Sequence, residues 1–433
     1  MTHRRPKLRT TPRTVRPLVA DGARPYSPRA CDLADARRRD DEDPLGEFRE
    51  RFLIGPAPVA YLDGNSLGRP PKATIARLNE LLTQEWAGRL ILSWEERWVD
   101  LPAQVGDQLG ETVLGAAPGQ TLIADSTTVN LFKVLHAACG LRPDRAEIVV
   151  DDANFPTDRF IVEAIAADRG LTVRWVSPDP ESGVRLDELA GVLGPQTAVV
   201  SLSHVDYRSG YIADLAGITA AVHDAGALAV WDLCHSAGVV PIALDAAEVD
   251  FAVGCTYKYL NAGPGAPAFL FVADRHLPLV EQPISGWFGA ADTFAMAARY
   301  EPAPDVRRML SGTPSVLGIV AVQEGVKLIA EAGLDRIRTK GVDLTEYAIA
   351  LADRRLAPFG ATVASPRAAR ERGGHVTIRC ARAEDVTRRL IAAAVVPDFR
   401  NPDLIRLGMS PLTTSYEEVW LAIDIFAGIL VGN

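Results

Sequence analysis

The stretch Val249-Asp250-Phe251-Ala252-Val253-Gly254-Cys255-Thr256-Tyr257-Lys258-Tyr259-Leu260 decides how the chain is read. An apolar run of strand type stops at a polar cluster that carries a single lysine. Asn261-Ala262-Gly263-Pro264-Gly265-Ala266-Pro267 follows, and it continues neither a strand nor a helix. A lysine there has two readings: a surface residue at a turn, or an amine that forms a Schiff base with an aldehyde cofactor. Its neighbours have to decide between them.

Upstream, β-branched and apolar runs alternate with helical stretches. Thr121–Ala124 reads as a strand, with Asp125-Ser126-Thr127-Thr128 and a helix from Val129 to Ala138 after it. Glu147–Val150 is a second strand, followed by Asn154-Phe155-Pro156-Thr157-Asp158 and a helix to Asp168. Thr197–Leu202 ends in Ser203-His204. A helix over Ile218–Ala225 leads into the buried strand Ala227–Trp231 and then Asp232-Leu233-Cys234-His235. Continuous apolar strands separated by helices predict a largely parallel sheet covered on both faces, hence an α/β fold. Ligands of such sheets gather at the carboxyl ends of the strands. Thr127, Thr128, Phe155, Asp158, Ser203, Asp232, His235, Tyr257 and Lys258 all fall there, and five successive coincidences make a site.

Pyridoxal 5'-phosphate needs a lysine amine, a carboxylate beside the pyridine nitrogen, an aromatic face and phosphate donors. Asp232 is the candidate carboxylate, because an adjacent anion favours the pyridinium. Phe155 suits the ring face. Thr127, Thr128, Ser203 and Tyr257 suit phosphate or ring oxygens, and His235 the cofactor region. The hydroxyls at 126–128 read equally as helix caps or as an anion cradle. Further on, Arg406 lies in the apolar run Leu404–Gly408, where an unpaired guanidinium is costly. It either grips a substrate carboxylate or pairs with a protein acid.

Composition bounds these readings. The 433 residues are 48% hydrophobic and 23% charged, enough for one large unit with a smaller one. A net charge of -9 argues against general nucleic-acid binding. Five widely spaced cysteines fit neither a disulfide framework nor a metal site and suit a reducing cytoplasm. No apolar run reaches membrane-spanning length. The first 31 residues, rich in Arg and Pro, are expected to be a disordered basic tail or to precede the true start. Residues 32–70 are expected to pack with the small unit, 71–315 to form the large cofactor-binding domain, and 316–433 to form a small α+β domain. Trp86, Trp94 and Trp98 supply either core or flat walls for an aromatic ligand.

From about residue 32 onward the chain resembles kynureninase, a fold-type I pyridoxal-phosphate enzyme. The resemblance is carried by YLDGNSLG (61–68), TTVNLFK (127–133), NFPTD (154–158), WDLCHSAG (231–238) and VDFAVGCTYKYLNAGPG (249–265). GWFG (286–289), GTPS (312–315), DFR (398–400) and IRLGMSPL (405–412) complete it. It implies hydrolysis of L-kynurenine or 3-hydroxy-L-kynurenine to an anthranilate and L-alanine, in tryptophan catabolism, NAD biosynthesis or a specialised pathway. By motif position it implies Lys258 as Schiff-base lysine and Cα proton acceptor, Asp232 at the pyridine nitrogen, Phe155 on the ring and Tyr257 as proton relay. Thr127, Thr128, Asp158, Ser203 and His235 complete the cofactor shell. Trp287 and Thr313 would reach the phosphate across a homodimer interface. Arg406 would take the substrate carboxylate, with Ser66 and Trp94 near its aromatic end. The family often has His after Gly-Trp-Phe-Gly, where this chain has Ala290. A desulfurase, an aminotransferase or a non-catalytic protein on the same fold are the competing readings; a desulfurase needs a mobile cysteine, and only Cys380 follows Lys258.

Overall fold

The computed structural model describes residues 31–56 and 58–432, so the basic tail lies almost wholly outside the described residues. The first elements are a helix α1 (Leu33–Asp41), capped by the Asp32 carboxylate on the Asp35 amide at 2.8 Å, and a two-residue strand β1 (Ala60–Tyr61). Helices α2 (Lys72–Glu80) and α3 (Leu101–Leu109) lead into the main sheet.

That sheet is built from β2 (Thr121–Ala124), β3 (Glu147–Asp151), β4 (Thr172–Val176), β5 (Thr197–Ser203), β6 (Leu228–Asp232), β7 (Phe251–Gly254) and β8 (Ala268–Val272). Its spatial order is β2-β8-β7-β6-β5-β3-β4. The pairs from β7 to β4 are parallel, and β8 alone runs against its neighbours. The expectation of a mainly parallel α/β sheet is met. Two strands escape the sequence reading. In β4, Arg174 and Trp175 are exposed at the sheet edge, so the run lacks the apolar continuity of a central strand. β8 follows Pro267 directly and is only five residues long.

Helices α4 (Thr127–Gly140), α5 (Pro156–Arg169) and α6 (Leu215–Asp224) supply the crossovers. Burial splits the apolar residues of the sheet between two clusters, as a sheet covered on both faces requires. Val149, Val200, Trp231 and Phe269 face one; Ile148, Val199, Val230 and Leu270 face the other.

After β8 the chain forms α7 (Val316–Ala332) and α8 (Leu334–Arg355), then a second sheet of β9 (Thr362–Val363), β10 (His375–Arg379), β12 (Asp398–Arg400) and β13 (Leu404–Gly408). Its order is β12-β13-β10-β9, antiparallel throughout. Helix α9 (Ala383–Ala392) leads to the strand β11 (Val395–Val396), which pairs in parallel with β1, and α10 (Tyr416–Val431) is the last element. A third core cluster joins Ala36, Ala60 and Leu62 to Leu344, Tyr347, Ile405 and Phe426. Among the described residues no helix is long and apolar enough to cross a membrane.

Two close approaches fix the loop that carries Lys258. The Gly68 amide donates to the Tyr257 carbonyl at 2.8 Å, and a Cβ on Gly68 would collide with the Lys258 carbonyl. On the other side, α7 presses Gly325 against the Leu260 carbonyl, where a Cβ has no room. Gly325→Ala is therefore expected to destabilise the fold by about 1–3 kcal/mol through overpacking, read as a lowered thermal midpoint. An unchanged midpoint would mean that α7 does not pin this loop.

Candidate active site

β5, β6 and β7 end side by side, with Ser203 in register with Asp232 and Asp232 with Val253. The loop beyond β7 turns Lys258 back over these ends. A cleft of about 240 Å³ opens here, lined by Thr127, Thr128, Phe155, Asp158, Ser203, Asp232, His235, Tyr257 and Lys258. Ser66 and Arg406 enter from the other side, carried by the turn after β1 and by β13. Residues far apart in the chain therefore meet at the carboxyl edge of the sheet.

The Lys258 amine lies 3.0 Å from His235 Nε2. His235 is buried, its ring is edge-on to His375 at 5.8 Å, and its Nδ1 has no partner among the described residues. Burial, reinforced by Lys258 and Arg406, pushes the His235 pKa well down, so the imidazole is neutral. Asp232 accepts the Cys234 amide at 2.6 Å through Oδ1. Asp158, in the first turn of α5, is 2% exposed and has a buried Oδ1 with no hydrogen-bond partner. Its pKa is raised by burial first and by the Asp232 charge second. The paired acids at this end of the cleft form a setting that a cationic ring nitrogen would relieve.

Phe155 caps α5, is 41% exposed and meets the Tyr207 ring edge-on at 5.4 Å. The Ser203 hydroxyl donates to Asn154 Oδ1 at 2.8 Å, and the same oxygen takes the Phe155 amide at 2.7 Å. Ser126 caps α4 by accepting the Val129 amide, which leaves the neighbouring Thr127 and Thr128 hydroxyls lining the cleft. The cap reading from the sequence is met by Ser126. Thr127, Thr128 and Tyr257 also line an adjoining cavity of about 470 Å³ that includes Ser311 and Thr313. Burial raises the Tyr257 pKa, so its phenol keeps its proton.

Arg406 is 1% exposed. It donates to the Tyr207 carbonyl at 2.5 Å, to Ser66 Oγ at 3.1 Å and to the Asp398 carboxylate. The protein acid foreseen as its partner is Asp398.

Trp287 and Trp94 line neither cavity. Trp287 is 42% exposed and edge-on to Phe288 at 4.6 Å; Trp94 packs against Trp98 at 5.3 Å and Phe288 at 5.5 Å. Sequence reasoning missed Asn65, Tyr207, Cys234 and Arg400 among the lining residues. Tyr207 sits in an irregular segment with no motif around it, whereas Arg400 stood in plain view in Asp398-Phe399-Arg400.

The arrangement fits pyridoxal phosphate. Asp158 and His235 each present a buried, unpartnered polar atom, and hydroxyls at a helix N-terminus suit a phosphate. All five cysteines are free and buried, and burial raises the Cys380 thiol to about 11. None is the mobile nucleophile that a desulfurase requires.

Residues 337–426 match the family model of the kynureninase C-terminal domain. Kynureninase from Pseudomonas fluorescens is 41% identical over 403 residues, covering 92% of this chain and 95% of that protein. The chain belongs to the kynureninase family. A second relative, kynureninase from Burkholderia pseudomallei strain 1106a, is 41% identical over the same share of the chain. Solved structures share the fold at low identity. The cysteine desulfurase CsdA from Escherichia coli has a TM-score of 0.76 at 16% identity, covering 90% of this chain and 98% of its own. A C-DES variant with glycine covalently linked to its PLP cofactor has a TM-score of 0.73 at 21% identity, covering 87% and 98%. These place the family member among fold-type I proteins and carry no activity across.

His375, beside His235, is wholly buried, and burial pushes its pKa to about 3. Because the folded value lies below the ordinary 6.5, its contribution to stability is complete above pH 6.5 and is lost as the pH falls toward 3. Asp151, raised to about 7 by burial, and Asp158 act in the opposite sense over the same window. The contribution of His375 is therefore read as a difference. Between pH 6.5 and 4 the parent should lose roughly 3 kcal/mol more than His375→Gln in denaturant unfolding. Equal losses would mean that His375 takes up protons freely in the native state.

Proposed function

We propose that the chain is a pyridoxal-phosphate-dependent hydrolase that cleaves the side chain of L-kynurenine, 3-hydroxy-L-kynurenine or another ring-substituted kynurenine, giving the matching anthranilate and L-alanine. The observation that carries this reading is that Lys258, Asp232 and Arg406 line one cleft. Bound pyridoxal phosphate supplies an electrophilic aldehyde and an electron-withdrawing ring that makes the substrate Cα–H acidic and the Cβ–Cγ bond breakable.

The residues of the chain do the rest. The Lys258 amine would hold the cofactor's aldehyde carbon and, when free, is the base placed to take the substrate Cα proton. The neutral imidazole of His235, 3.0 Å away, accepts a hydrogen bond from that amine and adds no competing charge. The Asp232 carboxylate would hold the proton on the ring nitrogen, with Asp158 beside it. Phe155 would cover one ring face. Thr127, Thr128 and Tyr257 would hold the phosphate at the N-terminus of α4, where free amides and the helix dipole favour an anion. Water supplies the hydroxyl taken up by the departing carbonyl carbon, and Tyr257, kept protonated by burial, is placed to donate a proton to the Cβ left behind. Arg406 orients the α-carboxylate, and Ser66 supports Arg406 at 3.1 Å. A homodimer is the assembly in which Trp287, Thr313 and Trp94 take part, with Trp287 and Thr313 at the phosphate and Trp94 near the aromatic end; the exposure of Trp287 suits burial against a second copy. The division into a large domain over 71–315 and a small one over 316–433, joined by the 32–70 segment, is supported by the separate core cluster of the C-terminal sheet. The five free cysteines suit the cytoplasm, and tryptophan catabolism is the pathway class that supplies such substrates.

Incubation with kynurenine and with 3-hydroxykynurenine should release fluorescent anthranilate or its hydroxy form together with alanine. Lys258→Ala should remove the borohydride-trappable adduct and lower kcat by roughly 1,000-fold or more. An adduct persisting in that variant, or cofactor-loaded protein releasing neither product, would overturn the reading.

A further inference from the structure

Asp398-Phe399-Arg400 has no role in the account above, yet its two charged residues stand against Arg406. Asp398 is the direct cross-strand partner of Arg406 between β12 and β13, and Arg400 lies two residues along β12 on the same face. A single carboxylate oxygen, Asp398 Oδ2, serves both guanidiniums: Arg406 through Nη2, and Arg400 through Nη2 at 2.8 Å. Arg406 Nε and Arg400 Nε are buried without a hydrogen-bond partner. Two cations thus share one salt-bridging oxygen, with the Asp63 carboxylate acting on both at longer range, and neither is saturated.

An α-carboxylate that docks bidentately on Arg406 needs the N–H that Asp398 occupies. Expelling Asp398 without a substitute would leave a carboxylate that is only 17% exposed without its counter-charge, at a cost that weakens binding. Arg400 removes that cost because it already holds the same oxygen. Its guanidinium, 5.9 Å from the Tyr207 ring, is also placed against the residue whose carbonyl anchors Arg406.

We propose that Asp398 is an internal stand-in for the substrate carboxylate, released from Arg406 onto Arg400 when an amino acid binds. Asp398 and Arg400 are positioning residues, and the competition between the two carboxylates sets the affinity of the site for its amino-acid end. This rests on the carboxylate role of Arg406. Affinity falls by the fraction of Arg406 that Asp398 leaves available.

The test is titration of the cofactor-loaded enzyme with L-alanine and with L-alaninamide, which lacks the carboxylate, followed by the visible absorbance of the cofactor. Asp398→Asn should tighten L-alanine by about three- to tenfold and move L-alaninamide by less than about twofold. Arg400→Gln, which removes the receiver, should weaken L-alanine by about fivefold or more, and Arg400→Lys should recover part of that loss. In the Asp398→Asn background, Arg400→Gln should lose its effect, which a merely structural arginine would not do. Weaker L-alanine binding in Asp398→Asn, or an Arg400 effect that persists in that background, overturns the hand-off while leaving the carboxylate role of Arg406 intact. Unchanged L-alanine binding in Arg406→Gln sinks both.

Discussion

Like charges held together in a confined space govern the large unit. Asp158 and Asp232 lie at adjacent strand and helix ends, with Asp151 close enough to raise the Asp158 carboxyl further. Water would normally disperse such a field, but Asp158 is buried and one of its oxygens meets no donor among the described residues. Lys258 lies close enough to oppose the shift yet is paired with a neutral histidine. A site of this kind gains by taking in a planar cation, which is the form of a protonated pyridine ring.

The opposite charge balance prevails at the far end of the cleft. Arg400 and Arg406 project from the small antiparallel sheet, and the Tyr207 carbonyl ties Arg406 to the large unit. Burial lowers the pKa of Arg406, and the nearby Asp398 opposes that shift. The cleft thus runs from acidic groups at the strand ends of the large unit to guanidiniums on the small sheet.

Much of this was legible in the sequence because buried parallel strands are written as unbroken apolar runs, with polar residues at their ends. Lys258, Asp232, Thr127, Thr128 and His235 could be read as one edge from that rule alone. What could not be read has identifiable causes. β4 and β8 were missed because an exposed edge strand and a five-residue strand after a proline carry weak periodicity. Tyr207 contributes a backbone carbonyl, and a carbonyl is the same in every residue. The partner of Arg406 was left open because choosing between Asp398 and a substrate depends on cross-strand register, which spacing does not reveal. Trp94 and Trp287 are conspicuous as aromatics, but their placement in one protomer is against other rings.

The parallel pairing of β1 with β11 has a consequence for biogenesis. The strand at residues 60–61 and its partner at 395–396 are separated by the whole large unit, yet they share a core with α10. Ala60 and Leu62 are therefore synthesised long before Val395 and the helix α10 that complete their core, and a chain cut before residue 395 lacks the strand on which residues 60–61 pair.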